Sequence, residues 1–380
     1  MRTVDEVRDL LRREVSAREA VETDLADALG GLLREDVKAP EDQPAFDRSA
    51  VDGLVVREDD SAESFRIVGE IRAGDGRKHE LATGQALRMA TGAAVPAGGE
   101  VIMLEDAEES EGVVRFSRRG RNHVRRRGED ARAGDVLLAA GTEIGPGAMA
   151  LLASVGHVRP QVTRPLDILH VATGNELVAA EERPGPGQIR DSNSPLVAAW
   201  ARTKGLRVRQ RRVGEDADAL RHAIEGRRDL LLVSGGASVG RHDCTAEVLD
   251  AAGFEILVTK VAVRPGKPLI VGRRGEEWAF GLPGNPLSHF VCLHVFVDVA
   301  LAAMRGNACA PAILEGQVSA EVSGNPRETW WPAVEESAGL RPLPWSSSGD
   351  LTALATVNAL VRVPVSGLAA GGKAEFIRVT

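Results

Sequence analysis

The sequence predicts a multi-domain α/β and β protein built around a parallel sheet. Between residues 166 and 290, apolar runs of strand length alternate with helix-length segments, which is typical of a parallel sheet with right-handed crossovers. Residues 65–114 show strand patterns broken by frequent turns, and they predict a separate strand-rich domain. From about residue 307, alternating patterns predict a small β-barrel or sandwich with strands at 313–318, 340–343, 359–363 and 374–379.

Composition places the chain among soluble globular proteins. Its 380 residues are 43% hydrophobic and 27% charged, and this length predicts roughly two to four domains. The net charge of −8 argues against non-specific nucleic-acid binding. The amphipathic N-terminus does not resemble a signal peptide. His294 and Asp298 interrupt the apolar stretch 291–304, which predicts a core helix and no membrane association. Three cysteines without a metal-binding pattern favour a reducing cytoplasm.

The N-terminal region predicts a pair of helices. Apolar residues recur at helical spacing from Val4 to Val15 and again from Ala26 to Leu32. A further helix at 144–155 returns the chain to this region, so the strand-rich segment reads as an insertion. The predicted domains are a linking and dimerisation domain (1–52 with 137–163), the inserted domain (53–136), the α/β domain (164–306) and a C-terminal β-barrel (307–380).

Three loops of the α/β region carry the features that a phosphorylated ligand requires. They lie at 234–240, 263–268 and 281–288, and the first and third follow buried-strand patterns. Ligands of open α/β sheets bind at the carboxyl ends of the strands, and glycines there expose backbone N–H groups to an anion. Each loop taken alone is also explained as a tight turn, but together the three predict one pocket.

Charged side chains accompany these loops. Asp243 offers a carboxylate to Mg²⁺, while Lys260, Arg264 and Lys267 offer cations to a phosphate or another oxyanion. Glu176 follows the preceding buried-strand pattern, so we expect it to face the same pocket. Its other explanation is an acidic residue at a helix N-terminus, where it interacts favourably with the helix dipole.

Two polar segments have ordinary explanations beside functional ones. The arginine-rich run 118–127 is either a solvated face or a surface that attracts a phosphorylated ligand or an acidic partner protein. Ser192 or Asn193 is placed to cap the helix that runs through Trp200.

The loop segments resemble the molybdopterin molybdenumtransferase family, the MoeA and gephyrin E-domain proteins. The similarity lies in SGGASVGRHD at 234–243, VRPGKP at 263–268 and GLPGNPLS at 281–288. Further matches follow the family order: PAFDRSAVDGLVV at 44–56, ALRMATGAAVP at 86–96, GEDARAGD at 128–135, TGNEL at 173–177 and QIRDSN at 188–193. The resemblance covers nearly the whole chain.

The resemblance implies a fold and a set of site residues. The central domain would be doubly wound and MoaB/MogA-like, joined to an elongated N-terminal helical domain, an inserted strand-rich domain and a small barrel. Catalytic roles fall on Asp243, Lys260, Lys267 and Glu176, and Mg²⁺ ligation on Asp243, Glu176 and Asp216. The implied substrate-binding residues are Asp52, Thr91, Gly92, Asp130, Asp216, Ser234, Gly235, Gly236, Ser238, Arg264, Pro283, Asn285, Pro286 and Ser348.

Several positions depart from the family pattern. They are Leu54, Gly99, Asn175, Arg264 and Pro332. Arg264 stands where many relatives have Lys, which keeps the charge but changes the size and the hydrogen-bond geometry. Arg327 and Trp330 match an Arg-x-x-aromatic pattern of the family, whereas Pro332 replaces its second Arg. These departures leave open whether the family activity is reduced or abolished.

The implied reaction uses adenylylated molybdopterin and molybdate as substrates, requires Mg²⁺ and releases AMP. The implied partners are a second copy in a homodimer, the adenylyltransferase and the acceptor molybdoenzymes. Two other functions stay open: a non-catalytic molybdopterin-binding paralogue or scaffold, and a molybdopterin adenylyltransferase. A scaffold would bind without releasing AMP, and an adenylyltransferase would consume ATP.

Overall fold

The computed structural model describes residues 1–236, 244–307 and 311–379. The chain forms two compact units: Met1–Arg34 with Glu143–Gly145 and Arg159–Thr380, and Glu35–Thr142 with Pro146–Val158. Along the sequence, the second unit is therefore inserted into the first. The finer division into four domains remains a prediction.

In the described part of the first unit, a six-stranded sheet forms the centre. In chain order its strands are β1 (Ile168–Thr173), β2 (Arg209–Val213), β3 (Leu230–Ser234), β4 (Glu255–Val258), β5 (Ile270–Arg274) and β6 (Glu277–Leu282). Their spatial order is β2-β1-β3-β6-β5-β4. The strands β2, β1, β3 and β6 are parallel, as predicted for the whole sheet.

The sheet as a whole is mixed, which corrects the prediction of a purely parallel one. Strand β5 is antiparallel to both of its neighbours, β4 and β6. Only Gly275 and Glu276 separate β5 from β6. Such a short link closes a hairpin, whereas a parallel pair needs a crossover of about a dozen residues.

Helices cover both faces of this sheet. Helix α1 (Asn193–Thr203) and the helical stretch that begins at Pro286 share one hydrophobic cluster, while α2 (Ala217–Ala223) and α3 (Thr245–Ala251) share another. Alternate residues of β3 enter the two clusters, because successive strand side chains point to opposite faces. Burial on both faces explains the continuous apolar runs that the sequence shows.

The helical stretch Pro286–Arg305 consists of α4 (Pro286–Cys292), a π-helical turn (Leu293–Val297) and α5 (Asp298–Arg305). Among the described residues, it is the one helix whose length and composition alone would suit a membrane crossing, and 94% of its apolar window is buried inside the protein. It packs in one cluster with the N-terminal helix Val4–Glu14. The prediction of a core helix at 291–304 is confirmed.

The predicted second N-terminal helix is wrong. Residues Ala20–Glu22 form a strand paired with Gln161–Thr163, and only a single helical turn, Leu25–Asp27, follows. Gly30 has a positive φ of +74°, a conformation that ends a helix. The apolar spacing at 26–32 therefore does not continue as a helix.

The C-terminal region of the first unit forms a small barrel. Its described strands are Leu314–Gln317, Glu328–Glu336, Gly339–Pro342, Ala359–Val363 and Lys373–Arg378. They pair in a continuous path from Gly339–Pro342 to Leu314–Gln317, and a bridge between Val318 and Leu340 joins the two ends of that path.

One strand of the barrel was missed in the sequence. It is Glu328–Glu336, which contains Pro332, and a proline within a run argues against a strand in sequence-based reasoning. Trp330 in this strand is fully buried.

The second unit is strand-rich, as predicted. In its described residues, a six-stranded sheet has the order Gly99–Met103, Gly53–Arg57, Gln85–Met89, Phe65–Ile71, Val113–Phe116 and Ala107–Ser110. A helix, Pro146–Ser154, lies within the predicted range 144–155. Two short strand pairs complete the unit: Val37–Lys38 with Val136–Leu138, and Arg48–Ser49 with Val124–Arg125.

Candidate functional site

A cavity of about 920 Å³ opens at the carboxyl ends of β1, β3 and β6 in the first unit. Residues from all three predicted loops line it, namely Ser234, Gly235, Gly236, Arg264, Pro265, Gly266, Lys267, Pro268, Pro283, Gly284, Asn285, Pro286 and Ser288. The prediction that these loops share one pocket is confirmed for their described parts. Ser238 and Asp243, two predicted site residues, lie outside the described residues.

The loop after β3 approaches its neighbours so closely that Gly235 cannot be replaced without strain. Its φ is +92°, and a Cβ atom added there would stand 2.3 Å from the carbonyl oxygen of Thr173. The Gly235 N–H donates to the carbonyl of Leu282 at 3.2 Å. This amide therefore joins the ends of β3 and β6, a structural task, rather than facing an anion.

Ser348, implied only by resemblance, lies against the third loop. Asn285 donates from Nδ2 to the Ser348 Oγ at 2.8 Å, although 63 residues separate them in the chain. The backbone N–H of Leu287 donates to the Ser348 carbonyl at 3.0 Å. This carbonyl thus occupies a donor at the start of α4 that would otherwise lack a partner within the helix.

Four cationic residues line the cavity: Arg190, Arg264, Lys267 and Arg327. The Arg264 guanidinium lies 4.7 Å from the ring centroid of Trp345, a cation–π arrangement. Arg327 donates from Nη1 to the Val263 carbonyl at 2.8 Å. The predicted Lys260 is exposed and is not among the residues that line the cavity.

The carboxylates at the cavity differ in part from the predicted metal ligands. Glu176 lines the cavity, and so does Glu215. Asp216 instead caps α2, where its side chain accepts the Ala219 N–H at 2.8 Å, and it is not a lining residue. The described residues contain no group of three or more His, Cys, Asp or Glu that could hold a metal. Asn175, a departure from the family pattern, accepts the Glu215 N–H at 3.0 Å.

This donor set fits Mg²⁺ only as a metal that arrives with a phosphate. Mg²⁺ commonly binds through one or two carboxylates and takes its other ligands from substrate phosphates and water. Glu176 and Glu215 can supply the carboxylates. Asp216 is less suited, because one of its oxygens already serves the helix cap.

The helix cap near the cavity is provided by a residue that the prediction missed. Neither Ser192 nor Asn193 caps α1 with its side chain. Asp191 does so, because its carboxylate accepts the Ser194 N–H at 3.0 Å. Asn193 donates to the Gly284 carbonyl at 2.8 Å and so contacts the third loop.

The Ser234 hydroxyl is hydrogen-bonded to two histidines that the sequence did not indicate as functional. The Ser234 side chain is buried, and its Oγ lies within hydrogen-bond distance of His170 and His289. Ser234 borders the cavity, but its only hydroxyl proton can be donated to one partner at a time, and both histidines lie within its reach. The only sequence signal was the presence of polar residues in otherwise apolar segments.

The remaining predicted residues belong to the second unit. Asp52 accepts hydrogen bonds from the backbone N–H and the hydroxyl of Thr91 at 2.7 and 2.9 Å, and these bonds lower the pKa of Asp52. Gly92 donates its N–H to the Ser49 carbonyl at 2.8 Å. Asp130 accepts a hydrogen bond from Arg125. Asp52 and Thr91, which were implied separately as substrate-binding residues, are thus in direct contact.

The arginine-rich run 118–127 is largely neutralised by nearby carboxylates. Ion pairs join Arg119 to Glu100, Arg125 to Asp130, Arg126 to Asp47 and Arg127 to Asp42. Glu100 is buried, but the other three pairs are at least partly exposed, as is typical of a solvated face. They favour that explanation over an anion-binding surface.

Comparison with known families and structures shows which proteins this chain resembles. Residues 2–156 match the model of the MoeA N-terminal region (domains I and II), and residues 170–303 match that of a probable molybdopterin binding domain. A MoeA protein structure from Pyrococcus horikosii aligns with a TM-score of 0.81 and 26% identity, covering 100% of this chain and 99% of its own.

Named relatives of similar length extend the match. Proteins called molybdopterin molybdenumtransferase from Staphylococcus epidermidis and Staphylococcus aureus are each 31% identical, and each alignment covers 98% of this chain and 94% of the relative. The loops that line the cavity are the segments that carry the family resemblance in the sequence. The chain therefore belongs to the molybdopterin molybdenumtransferase family.

Proposed function

We propose that this chain acts in molybdenum cofactor biosynthesis by inserting molybdenum from molybdate into adenylylated molybdopterin, with release of AMP. The observation that carries the proposal is one cavity in which the three family loops meet the cations Arg264, Lys267 and Arg327. A pyrophosphate with an attached metal oxyanion is a highly anionic ligand, and such a ligand requires clustered cations and backbone donors.

The proposed reaction balances without a protein nucleophile. An oxygen of molybdate attacks the phosphorus of the adenylyl group, the pyrophosphate P–O bond breaks, and molybdopterin keeps its own phosphate. Two Mo–S bonds form to the dithiolene while two Mo–O bonds break. One of these oxygens leaves within AMP, and the other leaves as water with the two thiol protons. The protein then serves mainly to position the reactants and to offset their charge.

The side chains of the cavity divide this work. Lys267 and Arg327 are placed to offset phosphate charge, and Arg264 is held over Trp345 at 4.7 Å, which restricts its guanidinium. Asn285 and Ser348 fix the third loop through their mutual hydrogen bond. Because Arg264 keeps the positive charge, its presence in place of Lys is compatible with activity.

Glu176 and Glu215 would hold Mg²⁺ together with Asp243 of the predicted motif. When bound, the metal supplies charge neutralisation at the phosphate oxygens. Glu176 and Glu215 themselves place two carboxylates on a cavity that also carries several cations. Asp243 remains the first candidate ligand by resemblance, and its role rests on that resemblance alone.

The wider context follows from the same resemblance. It comprises a homodimer in the cytoplasm that receives its substrate from the adenylyltransferase and passes the product to acceptor molybdoenzymes. The Asp52–Thr91 segment and Asp130 would contribute further substrate contacts. The four-domain division predicted from the sequence belongs to this proposal as well.

The direct test measures AMP release from adenylylated molybdopterin by the purified protein, with Mg²⁺ and molybdate omitted in turn. Release that requires both supports the proposal. Binding of the substrate without release would instead indicate a scaffold, and consumption of ATP with molybdopterin would indicate an adenylyltransferase.

Two substitutions connect this activity to the site. Glu176→Gln and Asp243→Asn should each lower Mg²⁺-dependent AMP release by about tenfold or more, since each removes a proposed metal carboxylate. Glu182→Gln is the matched control, because Glu182 is exposed and does not line the cavity. Unchanged release in both site variants would remove these carboxylates from the proposed mechanism.

A further inference from the structure

A chain of buried polar side chains lies directly behind the cavity wall. The Nε2 of His170 is 2.6 Å from the Oγ of Ser234, and the same Oγ is 2.7 Å from the Nε2 of His289. His170 and His289 are fully buried, and Ser234 is 2% exposed. The hydroxyl therefore connects two imidazoles in an interior with no access to water.

The members of this chain come from the elements that carry the cavity loops. His170 lies on β1, Ser234 ends β3, and His289 lies in the first turns of α4. Gln210 on β2 extends the chain, since its Nε2 lies 3.2 Å from the Nδ1 of His170. Each of these elements leads into, or begins at, a segment that lines the cavity.

The positions of the protons follow from Gln210. Its Nε2 donates to the carbonyl of Ser194 at 2.8 Å, and because a carbonyl can only accept, this contact fixes the orientation of the amide. The same amide nitrogen therefore donates to the Nδ1 of His170. His170 must then carry its proton on Nε2 and donate it to Ser234, which in turn donates its own proton to the Nε2 of His289.

His289 thus carries its proton on Nδ1, and among the described residues this atom has no hydrogen-bond partner. Burial lowers the pKa of both imidazoles, to about 4 for His170 and about 3 for His289. Asp191 opposes this effect at His170, whereas His170 and His294 add to it at His289. Both rings are therefore neutral at pH 7, as the hydrogen-bond pattern requires.

The same atoms do not make a nucleophile and its base. In such a pair, a third group orients the base, commonly a carboxylate at the other ring nitrogen. Here the second nitrogens meet an amide in one ring and no partner in the other. The Ser234 hydroxyl is also too buried to reach a substrate in the cavity.

We propose that His170 and His289 are positioning residues that hold Ser234, and through it Gly235, in the conformation that presents the Gly236 backbone to the substrate's phosphate groups. The second part of this proposal rests on the proposed function, and the first does not. Gly235 follows Ser234 directly in the chain, and its N–H is held by the Leu282 carbonyl at 3.2 Å, so a change in the Ser234 backbone reaches Gly235 through the peptide bond that they share.

The hydrogen-bond chain is tested first on the wild-type protein by long-range ¹⁵N–¹H NMR of the histidine rings. We expect the Nε2–H form for His170, the Nδ1–H form for His289, and no protonation of either ring at pH 6. The opposite form at either ring, or titration near the ordinary histidine pKa of about 6.5, would overturn the proposal whatever the enzyme does.

Four variants test the positioning role, and the measurement requires no ligand. His170→Met and His289→Met fill the space but break the chain, whereas His170→Gln and His289→Gln can replace the donor and the acceptor, respectively. The amide resonances of Gly235 and Gly236 should move in the Met variants and return toward wild type in the Gln variants. Equal shifts in the Met and Gln variants would show that the histidines only fill space and do not position the loop.

Binding of adenylylated molybdopterin then tests the functional part. Affinity should fall about tenfold or more in His289→Met and stay within about threefold of wild type in His289→Gln. His222→Met, at an exposed histidine, is the control. Failure of the wild-type protein to bind would contradict the proposed function while leaving the glycine and tautomer results intact. Normal binding by His289→Met would overturn the functional part of the positioning role.

Discussion

Two carboxylate–arginine pairs, one from each unit, differ in burial. In the first unit, Asp229 is 7% exposed and accepts from Arg18, Arg164 and the Asp167 backbone at 2.7–2.8 Å. Burial alone would raise the pKa of Asp229, but these donors outweigh it and leave the pKa lowered. In the second unit, Glu109 pairs with Arg88 while both side chains remain well exposed, at 38% and 44%.

The difference shows that the surroundings, more than the residue types, determine what a polar group does. A buried pair must be fully satisfied, because an unpaired charge there has no water to replace its partner. An exposed pair gains little, since water competes for both ions. The buried His170–Ser234–His289 chain extends this contrast to neutral groups at the cavity.

The largest expected effect is that of Asp229→Asn. The change leaves the buried Arg18 without its countercharge, so the free energy of unfolding should fall by about 3–5 kcal/mol. Urea denaturation measures it, with Asp218→Asn as the control because Asp218 is 86% exposed in its pair with Arg221. Equal losses in the two variants would contradict the importance of burial.

Low pH should decrease the free energy of unfolding through the buried histidines. In the unfolded chain they bind protons below a pKa of about 6.5, whereas in the folded chain His170 and His289 resist protonation down to about 4 and about 3. The unfolded state therefore binds more protons between these values, and stability falls as the pH falls from 7 toward 4. At pH 5 each histidine should lower the free energy of unfolding by about 2 kcal/mol relative to neutral pH.

This pH dependence can be assigned to a residue. His289→Met removes one of the two titrating groups, so its free energy of unfolding should depend less steeply on pH between 6.5 and 4. His222→Gln should keep the wild-type dependence, because His222 is exposed. An unchanged slope in His289→Met would show that another group is responsible.

Gly235→Ala tests the crowded loop at the cavity. The added Cβ meets the Thr173 carbonyl at 2.3 Å in addition to adopting a positive φ. Gly187→Ala is the matched control, since Gly187 has φ +76° with no atom within 4 Å of an added Cβ. The first variant should lose about 1–2 kcal/mol more than the second in thermal or urea unfolding. Equal losses would mean that the loop relaxes freely.

The smallest effect is expected in the second unit. Glu109→Gln removes the exposed partner of Arg88 and should change the free energy of unfolding by less than about 0.5 kcal/mol. A calorimetric scan at low and high salt should show little difference from wild type. A loss of unfolding free energy comparable to that of Asp229→Asn would contradict the expected difference between the buried pair and the exposed pair.

Much of the architecture was predictable because its signals are local. The apolar runs of β1, β3 and β6, the strands after residue 307 and the core helix at 291–304 each follow from short stretches of sequence. The predicted helix at 26–32 does not form because Gly30 has a positive φ. The strand Glu328–Glu336 was missed because it forms in spite of Pro332. Strand β5 runs antiparallel to β6 because only two residues link them. The prediction of a parallel sheet did not account for so short a link.

The sequence by itself determined the family and the three loops of the cavity, because each loop is a run of contiguous residues whose types indicate its chemistry. Only the tertiary structure decided that Ser348 and Trp345 join these loops, that Asp216 caps a helix outside the cavity, and that Ser234 is held by His170 and His289. Except for the Asp216 cap, whose hydrogen bond spans only three residues, these outcomes depend on burial and on contacts between residues tens of positions apart. Neither quantity is present in any single stretch of the chain.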